Sequence, residues 1–199
     1  GGLRDLQVIL WVAKAAGLCQ SWDELARKGL ATALEARQIK RNEALLSLIR
    51  AHLHTIAQRR EDRLIFDLQT QVAQALGAAS PSADHASKAA PVRASEVLMR
   101  RYYWAAKAVS QLNQVLLLNI EERLHPGTYA VRPLNERFNE KAAMIDVVSD
   151  DLYLRQPQAI LETFLLYQTH VGLKGLSART LRALYNARHM MNADFRHDS

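Results

Sequence analysis

The sequence has few residues that form disulfide cross-links or break helices and strands. Of its 199 residues, one is cysteine, five are proline and eight are glycine. The single thiol, Cys19, cannot form an internal disulfide, so we expect a reducing, cytoplasmic setting in which it is a small buried residue. No apolar run approaches the ~18 residues that a membrane span needs. Arg4 and Asp5 interrupt the start, where a signal peptide would be apolar. We therefore expect no signal peptide and no membrane partner.

Acidic side chains are outnumbered by basic ones, 20 to 26, which gives a net charge of +6 and a pI of about 9.7. Such a balance favours acidic or phosphorylated partners, which include nucleoside triphosphates, nucleic acid and acidic proteins. The basic residues are spread along the whole chain, so a solvated surface accounts for most of them. The hydrophobic fraction of 49% and the charged fraction of 23% are typical of a soluble globular protein.

Hydrophobic periodicity predicts an all-α fold, a bundle of long antiparallel helices with a small β-hairpin inserted late in the chain. Residues 3–16 are apolar nearly all round, which predicts a buried helix. Ser21–Glu24 and Thr32–Glu35 are capping boxes that open a short helix and a long one. Another helix is predicted from a cap at Ser95 to about Leu124. We expect residues 1–124 to form the helical bundle domain.

The rest of the chain predicts a connector, residues 125–199, made of a hairpin and further helices. Its two extended runs are 132–138 and 143–148, joined by polar residues 139–141. Ser177 is expected to cap the final helix. Inside the first domain, residues 77–94 are rich in Ala and Ser and contain two prolines, which predicts a flexible surface loop.

A block of mixed charge, residues 59–67, separates two amphipathic helices and predicts a helix–helix corner. Asp67 is expected to cap the second of these helices, and Gly77 to end it in a left-handed conformation. The three arginines of the block, Arg59, Arg60 and Arg63, are of the type that holds phosphate oxygens in pairs. The alternative is that they form an ion network with Glu61, Asp62 and Asp67 that braces the corner. Both roles are compatible.

Four blocks of the sequence resemble, in the same order, the bifunctional uridylyltransferase/uridylyl-removing enzymes of bacterial nitrogen control. The blocks are Gly1–Gln7 (GGLRDLQ), Arg59–Gln69 (RREDRLxFDxQ), Met99–Tyr103 (MRRYY) and Gly175–Leu181 (GLSARTL). The resemblance implies a helical region between a nucleotidyltransferase core and a phosphohydrolase domain. It also implies a parent enzyme that uses UTP and Mg²⁺ to modify the PII signal protein, and reverses this when glutamine is plentiful. The chain alone is expected to be inactive, because it contains no Gly-Ser followed by Asp-x-Asp.

Asp5 is the candidate catalytic residue and metal ligand that this resemblance implies. Related nucleotidyltransferases pair an upstream Asp-x-Asp with a third acid from a later segment, and Asp5 is placed to be that acid for Mg²⁺. The neighbouring Arg4 joins Arg59, Arg60 and Arg63 as a candidate nucleotide-binding residue. The alternative is structural, since an acid in the first helical turn interacts favourably with the helix dipole and Arg4 can pair with it.

Two other functions remain open from the sequence. Glutamine synthetase adenylyltransferases share the Gly-Gly-x-Arg-Asp start but have Glu where this chain has Gln7. The second open function is a basic helical module that binds nucleic acid, in which Arg100-Arg101 would supply charge and Tyr102-Tyr103-Trp104 would supply stacking rings. We expect these aromatics to be core residues flanked by solvated arginines, and no nucleic-acid partner. His52 and His54 fall on opposite sides of a helix and predict no metal site. His197-Asp198 looks like the phosphohydrolase dipeptide but stands alone.

Overall fold

The structure, a computed structural model, describes residues 2–77, 93–127, 130–192 and 195. It divides into two compact units, Gly1–Asn113 and Gln114–Ser199, with the boundary inside the longest helix. The elements in chain order are α1 (Leu3–Ala15), α2 (Trp22–Arg27), α3 (Ala33–Ala57), α4 (Phe66–Ala75), α5 (Ala94–Leu124), β1 (Val131–Pro133), β2 (Phe138–Lys141), β3 (Met144–Val147), α6 (Leu152–Arg155), α7 (Ala159–Thr169), β4 (Gly175–Leu176), α8 (Ala178–Ala187) and a 3₁₀ turn (Arg188–Met190).

The described chain is mostly helical, as predicted, and carries a small mixed sheet of four strands instead of a lone hairpin. Its arrangement as a bundle of long antiparallel helices stays a prediction. The loop predicted for residues 77–94 lies almost entirely outside the described residues. None of the helices in the described ranges combines the length and the apolar character required to cross a bilayer.

Local capping explains where the first helices begin. Thr32 accepts the N–H of Glu35 at 3.1 Å, and the Glu35 carboxylate accepts the N–H of Thr32 at 2.7 Å, so the predicted box at α3 is confirmed. At α2, Ser21 accepts the N–H of Glu24 as predicted, at 3.3 Å. The Glu24 carboxylate, however, accepts the N–H of Gln20 at 2.7 Å, whereas in a standard capping box it would accept that of Ser21.

Helix α1 is less buried than its composition predicts. Only Leu6, Ile9 and Ala13 are buried, while Trp11 is 60% exposed. The buried residues recur every three or four positions, so α1 buries one stripe and leaves the rest of its apolar surface outside. The prediction of an all-round buried helix is therefore wrong for the described part of the chain.

Two predicted caps are also wrong. Helix α4 begins at Phe66 with Ile65 at the cap position and no side-chain cap, so Asp67 lies in the first turn. Helix α5 begins at Ala94, which places Ser95 inside the helix. An acid within the first turn still interacts favourably with the helix dipole. The end of α4 is as predicted, since Gly77 adopts a left-handed φ of +64°.

Around the corner, α3, α4 and the start of α5 share an apolar core. Its buried members are Ile49, Leu53, Val72, Ala73 and Leu98. Helix α3 ends at Ala57, and the chain turns at Gln58, which has a left-handed φ of +52°. Leu64 then packs against the core from the connecting segment. The corner is therefore anchored by one apolar side chain of the charged block as well as by its charges.

In the second unit the strands run in the order β1-β2-β3-β4. The pairs β1·β2 and β2·β3 are antiparallel, whereas β4 lies parallel to β3. The polar residues 139–141, predicted as a turn, are part of β2. The turn lies at Ala142-Ala143, both with positive φ (57° and 58°). Two-residue hairpin turns with positive φ at both positions usually carry Asn or Gly. Ala142 and Ala143 therefore do not indicate a turn in the sequence.

Helix α8 is tied to β3 by the side chains of its first turn. Ser177 caps the helix as predicted, accepting the N–H of Thr180 at 3.1 Å. The buried hydroxyl of Thr180 accepts the N–H of Val147 at 3.0 Å and donates to the carbonyl of Ile145 at 2.8 Å. Arg179 donates to the carbonyl of Val147 at 2.8 Å. The block 175–181 therefore supplies the polar contacts that fix this helix on the sheet.

Replacing Thr180 by Val should destabilise the chain by about 1–3 kcal/mol, because it leaves the buried N–H of Val147 without its partner. Urea unfolding of the purified chain measures this. Thr169→Val is the matched control, since the Thr169 hydroxyl is exposed and bonds only to its own helix and to the adjoining His170. Equal stability of the two variants would show that the Thr180 contacts do not hold α8.

Candidate functional site

The corner is built on the buried carboxylate of Glu61, whose side chain is 8% exposed. One oxygen accepts from Nη2 of Arg59 at 2.8 Å, and the other accepts the backbone N–H of Arg63 at 3.0 Å. Nε of Arg63 lies 3.8 Å from the same carboxylate. The hydrogen bond from the Arg63 backbone, followed by the bond and charge of Arg59, lowers the pKa of Glu61 although burial opposes this. Glu61 is thus an ionised brace for two of the three corner arginines.

Asp62 binds α3 instead of the corner arginines. Arg50 donates from Nε and Nη2 to its two oxygens at 2.7 and 3.2 Å, and Nε2 of His54 lies 3.2 Å away. The fork from Arg50 is the main cause of the lowered pKa of Asp62, and His54 adds to it. Arg50 and His54 are one turn apart on α3, so the Asp62 carboxylate links the corner to that helix. Within the described residues, no ion pair joins Asp67 to this network.

Two adjoining clefts lie between the start of α1, α3 and the corner. The first, of about 400 Å³, includes Arg4, Tyr102 and Asp62 in its lining. The second, of about 520 Å³, includes Arg60 and His54. Residues common to both linings are Leu3, Gln7 and Arg50.

The structure therefore separates the predicted nucleotide-binding residues into two sets. Arg4 and Arg60 line the adjoining clefts, with Arg50 between them. Arg59 and Arg63 hold Glu61 with one side of their guanidinium groups and remain 70% and 86% exposed. Arg50 was missed by sequence reasoning. Its spacing to His54, one helical turn, was visible, but its link to Asp62 depends on how the chain turns at the corner.

Asp5 is partly buried and closes the first turn of α1. Its Oδ2 accepts the N–H of Gly2 at 2.7 Å, which is a capping contact at the start of the helix. Across the described residues, no group of three or more His, Cys, Asp or Glu side chains is arranged to hold a metal ion. Mg²⁺ is usually held by one or two carboxylates together with substrate phosphates. Asp5 thus fits as a single ligand, and these residues alone do not form a magnesium centre.

The aromatic residues of α5 contradict the expectation of a buried aromatic core. Tyr102 packs against the core of the corner, but Tyr103 and Trp104 are 64% and 62% exposed. Consecutive residues on a helix point 100° apart, so burying Tyr102 turns its two neighbours outward. The dipeptide His197-Asp198 lies outside the described residues.

Comparison with protein families gives two matches, one in each part of the chain. Residues 1–117 match the model of the GlnD PII-uridylyltransferase, and residues 138–199 match that of the uridylyltransferase GlnD third domain. The chain belongs to the GlnD uridylyltransferase family. Three of the four blocks that carry the resemblance lie in the first match and one lies in the second. Neither the adenylyltransferase reading nor the nucleic-acid module is favoured by these matches.

Curated relatives extend the agreement over the whole chain. It is 57% identical to the bifunctional uridylyltransferase/uridylyl-removing enzyme of Cupriavidus metallidurans over 199 residues, 58% to that of Cupriavidus pinatubonensis, and 54% to that of Burkholderia vietnamiensis over 201 residues. Each alignment covers all of this chain and 22% of the relative, so the chain spans about a fifth of their length. No solved structure matches it.

Replacing Glu61 by Gln tests the brace through its pH dependence. The pKa of Glu61 is lowered from its ordinary 4.5 on folding, so its contribution to stability is present above pH 4.5 and is lost as pH falls through the lower, folded pKa. The melting temperature of Glu61→Gln should therefore fall below that of the wild type at neutral pH and converge with it in acid. Exposed Glu136→Gln is the control and should show no such difference. A gap that persists unchanged at low pH would contradict the ionic brace.

Proposed function

We propose that the chain is the helical region of a cytoplasmic bifunctional enzyme that transfers uridylyl groups from UTP to the PII signal protein and removes them again. The observation that carries this proposal is the identity of 54–58% along the whole chain to enzymes of that name. Mg²⁺ is the proposed metal of the transfer reaction, and glutamine the proposed effector. The parent protein is accordingly both a nucleotidyltransferase and a hydrolase.

Within that enzyme, we assign residues 1–124, as a bundle of helices, to the transferase side and residues 125–199 to a connector towards the phosphohydrolase domain. The sequence has no Gly-Ser followed by Asp-x-Asp, and its His197-Asp198 dipeptide stands alone, so in this proposal the chain completes and orients catalytic sites and is inactive alone. The two clefts support a role on the transferase side. Their shared wall carries Arg50, and Arg4 and Arg60 stand on either side of it. Guanidinium groups bind phosphate oxygens in pairs.

Arg60→Ala in the full-length enzyme should raise the KM for UTP by about tenfold or more, because a hydrogen bond to a charged group contributes about 1.5–3 kcal/mol. Folding should be nearly unaffected, since no described ion pair holds Arg60. Steady-state uridylylation of PII and a melting curve make the two measurements. Arg37→Ala, an exposed arginine of α3 that lines neither cleft, is the control.

Arg63→Ala separates the two roles of the corner. Loss of nucleotide binding raises the KM for UTP. Loss of the 3.8 Å ion pair between the Arg63 guanidinium and Glu61 leaves that KM alone and lowers the melting temperature only slightly, because alanine keeps the backbone N–H that Glu61 accepts. If Arg60→Ala and Arg63→Ala both change only stability, the corner has no part in binding UTP.

Asp5→Asn tests the catalytic assignment. As a ligand of Mg²⁺, Asp5 should be needed for transfer, and the variant should lose uridylylation by at least ~10², or about 2.7 kcal/mol of barrier. Removal of uridylyl groups should be largely preserved, because it uses the other catalytic domain. Asp67→Asn is a matched control, since Asp67 is also an acid in the first turn of a helix. Near-normal uridylylation by Asp5→Asn would restrict Asp5 to the capping contact with Gly2.

A further inference from the structure

Four side chains form an exposed strip on α5 that the fold of the described residues does not use. Arg100, Tyr103, Trp104 and Lys107 are spaced by three, four and seven residues and so lie on one face of the helix. Together they line a shallow depression of about 310 Å³. Nζ of Lys107 lies 5.8 Å from the centre of the Trp104 ring, in cation–π geometry. We call these four residues the aromatic strip.

The outward orientation of the strip is set by the core. Leu98, Ala105 and Val109 of the same helix are buried, at 2%, 3% and 0% exposure. The position of these residues fixes the rotation of α5 about its axis, and the strip lies on the other side. Tyr103 is also held in place, with its ring edge-on to Tyr102 at 5.7 Å. The strip is therefore a preformed surface of two oriented aromatic rings between two cations.

Its composition is that of a binding surface. Tyr, Trp and Arg are the residue types that contribute most to protein–protein interfaces, and each large aromatic buries about 150–250 Å² when covered. None of the four residues is acidic, so a complementary surface would carry carboxylates around an apolar centre. We propose that the aromatic strip docks another domain of the whole protein, outside these 199 residues, through an apolar patch rimmed by Asp and Glu.

The size of the strip favours a tethered partner over a separate protein. At 64% and 62% exposure, the two aromatic side chains offer less than the roughly 300–500 Å² of two fully exposed ones. A standard interface between free proteins needs about 800 Å² from each partner. Domains of one polypeptide associate through smaller and more polar surfaces because the chain keeps them at high effective concentration. The relatives are long enough to supply such a domain, since this chain covers only 22% of their length.

Two other occupants fit less well. In a symmetric contact between two copies of the strip, each copy would bring its cations against those of the other, at a cost in repulsion. Single-stranded nucleic acid would stack its bases on the ring faces, and Lys107 already lies over the face of Trp104. The inference requires only that the chain be part of a longer polypeptide, so it stands apart from the proposed reaction.

Hydroxyl-radical footprinting of the full-length protein tests the proposal, with the oxidation rate of Trp104 read by mass spectrometry. The comparison is the charge-reversed variant Arg100→Glu/Lys107→Glu, which should release the docked domain. Trp104 should oxidise about tenfold faster in that variant, because a contact favoured by about 1.4 kcal/mol is populated ten to one. Arg37→Glu, a reversal on an exposed part of α3, should leave the rate unchanged.

Several results would overturn the proposal. If nothing covered it, Trp104 in the unmodified full-length protein would react at the rate that its 62% exposure allows, roughly three-fifths of that of N-acetyltryptophanamide, and this measurement needs no variant. Protection that disappears on dilution would identify a second copy, and protection removed by nuclease would identify nucleic acid. Protection that survives charge reversal, in a variant with an unchanged melting temperature, would reject the carboxylate rim. PII uridylylation assays on the same samples report separately on the proposed function.

Discussion

The first unit depends on one buried carboxylate. Glu61 is nearly inaccessible, and an acid in that position requires donors on both oxygens. Arg59 and the backbone of Arg63 supply them, which fixes the course of the chain between α3 and α4. With the backbone held there, Asp62 reaches Arg50 and His54, and Leu64 enters the core. The charged block therefore joins α3 to α4 through an inward-facing Glu61 and a surface pair between Asp62 and α3, while its arginines face outward.

The second unit uses neutral groups for the same purpose. Ser177 and Thr180 place two buried hydroxyls against β3. The hydroxyl of Ser177 caps α8 and donates to Asp146, and that of Thr180 bonds to the backbone of Ile145 and Val147. Arg179 adds a charged group at the rim, where it reaches Asp150 and the carbonyl of Val147. Two blocks of the family resemblance therefore have a structural explanation in their polar side chains. A resemblance carried by such residues identifies the family without identifying its active site.

Predictability followed the range of the interaction only in part. The caps at Thr32 and Ser177 and the helix end at Gly77 depend on neighbours within a few residues, and the sequence predicted them, although the equally local caps expected at Asp67 and Ser95 were wrong. The exposed side of α1, the exposure of Trp104 and the pairing of Asp62 with Arg50 depend on where distant elements pack. The hairpin turn failed for a different reason, because Ala142 and Ala143 adopt positive φ without the residues that normally signal it. At the candidate site, the residue types were predicted but their division between brace and cleft was not.

That division decides what the corner can do chemically. A guanidinium group committed to a carboxylate must exchange that partner, or share its remaining N–H groups, to bind phosphate. Arg59 and Arg63 are in this position, whereas Arg60 lines a cleft and has no such commitment among the described residues. The same block also exposes Phe66, at 76% of its surface, beside these arginines. Glu61, Asp62 and Leu64 account for the fold of the corner, together with the donors of Arg59 and of the Arg63 backbone. Arg60 and Phe66 contribute little to that fold and are the part of the motif from which binding has to be argued.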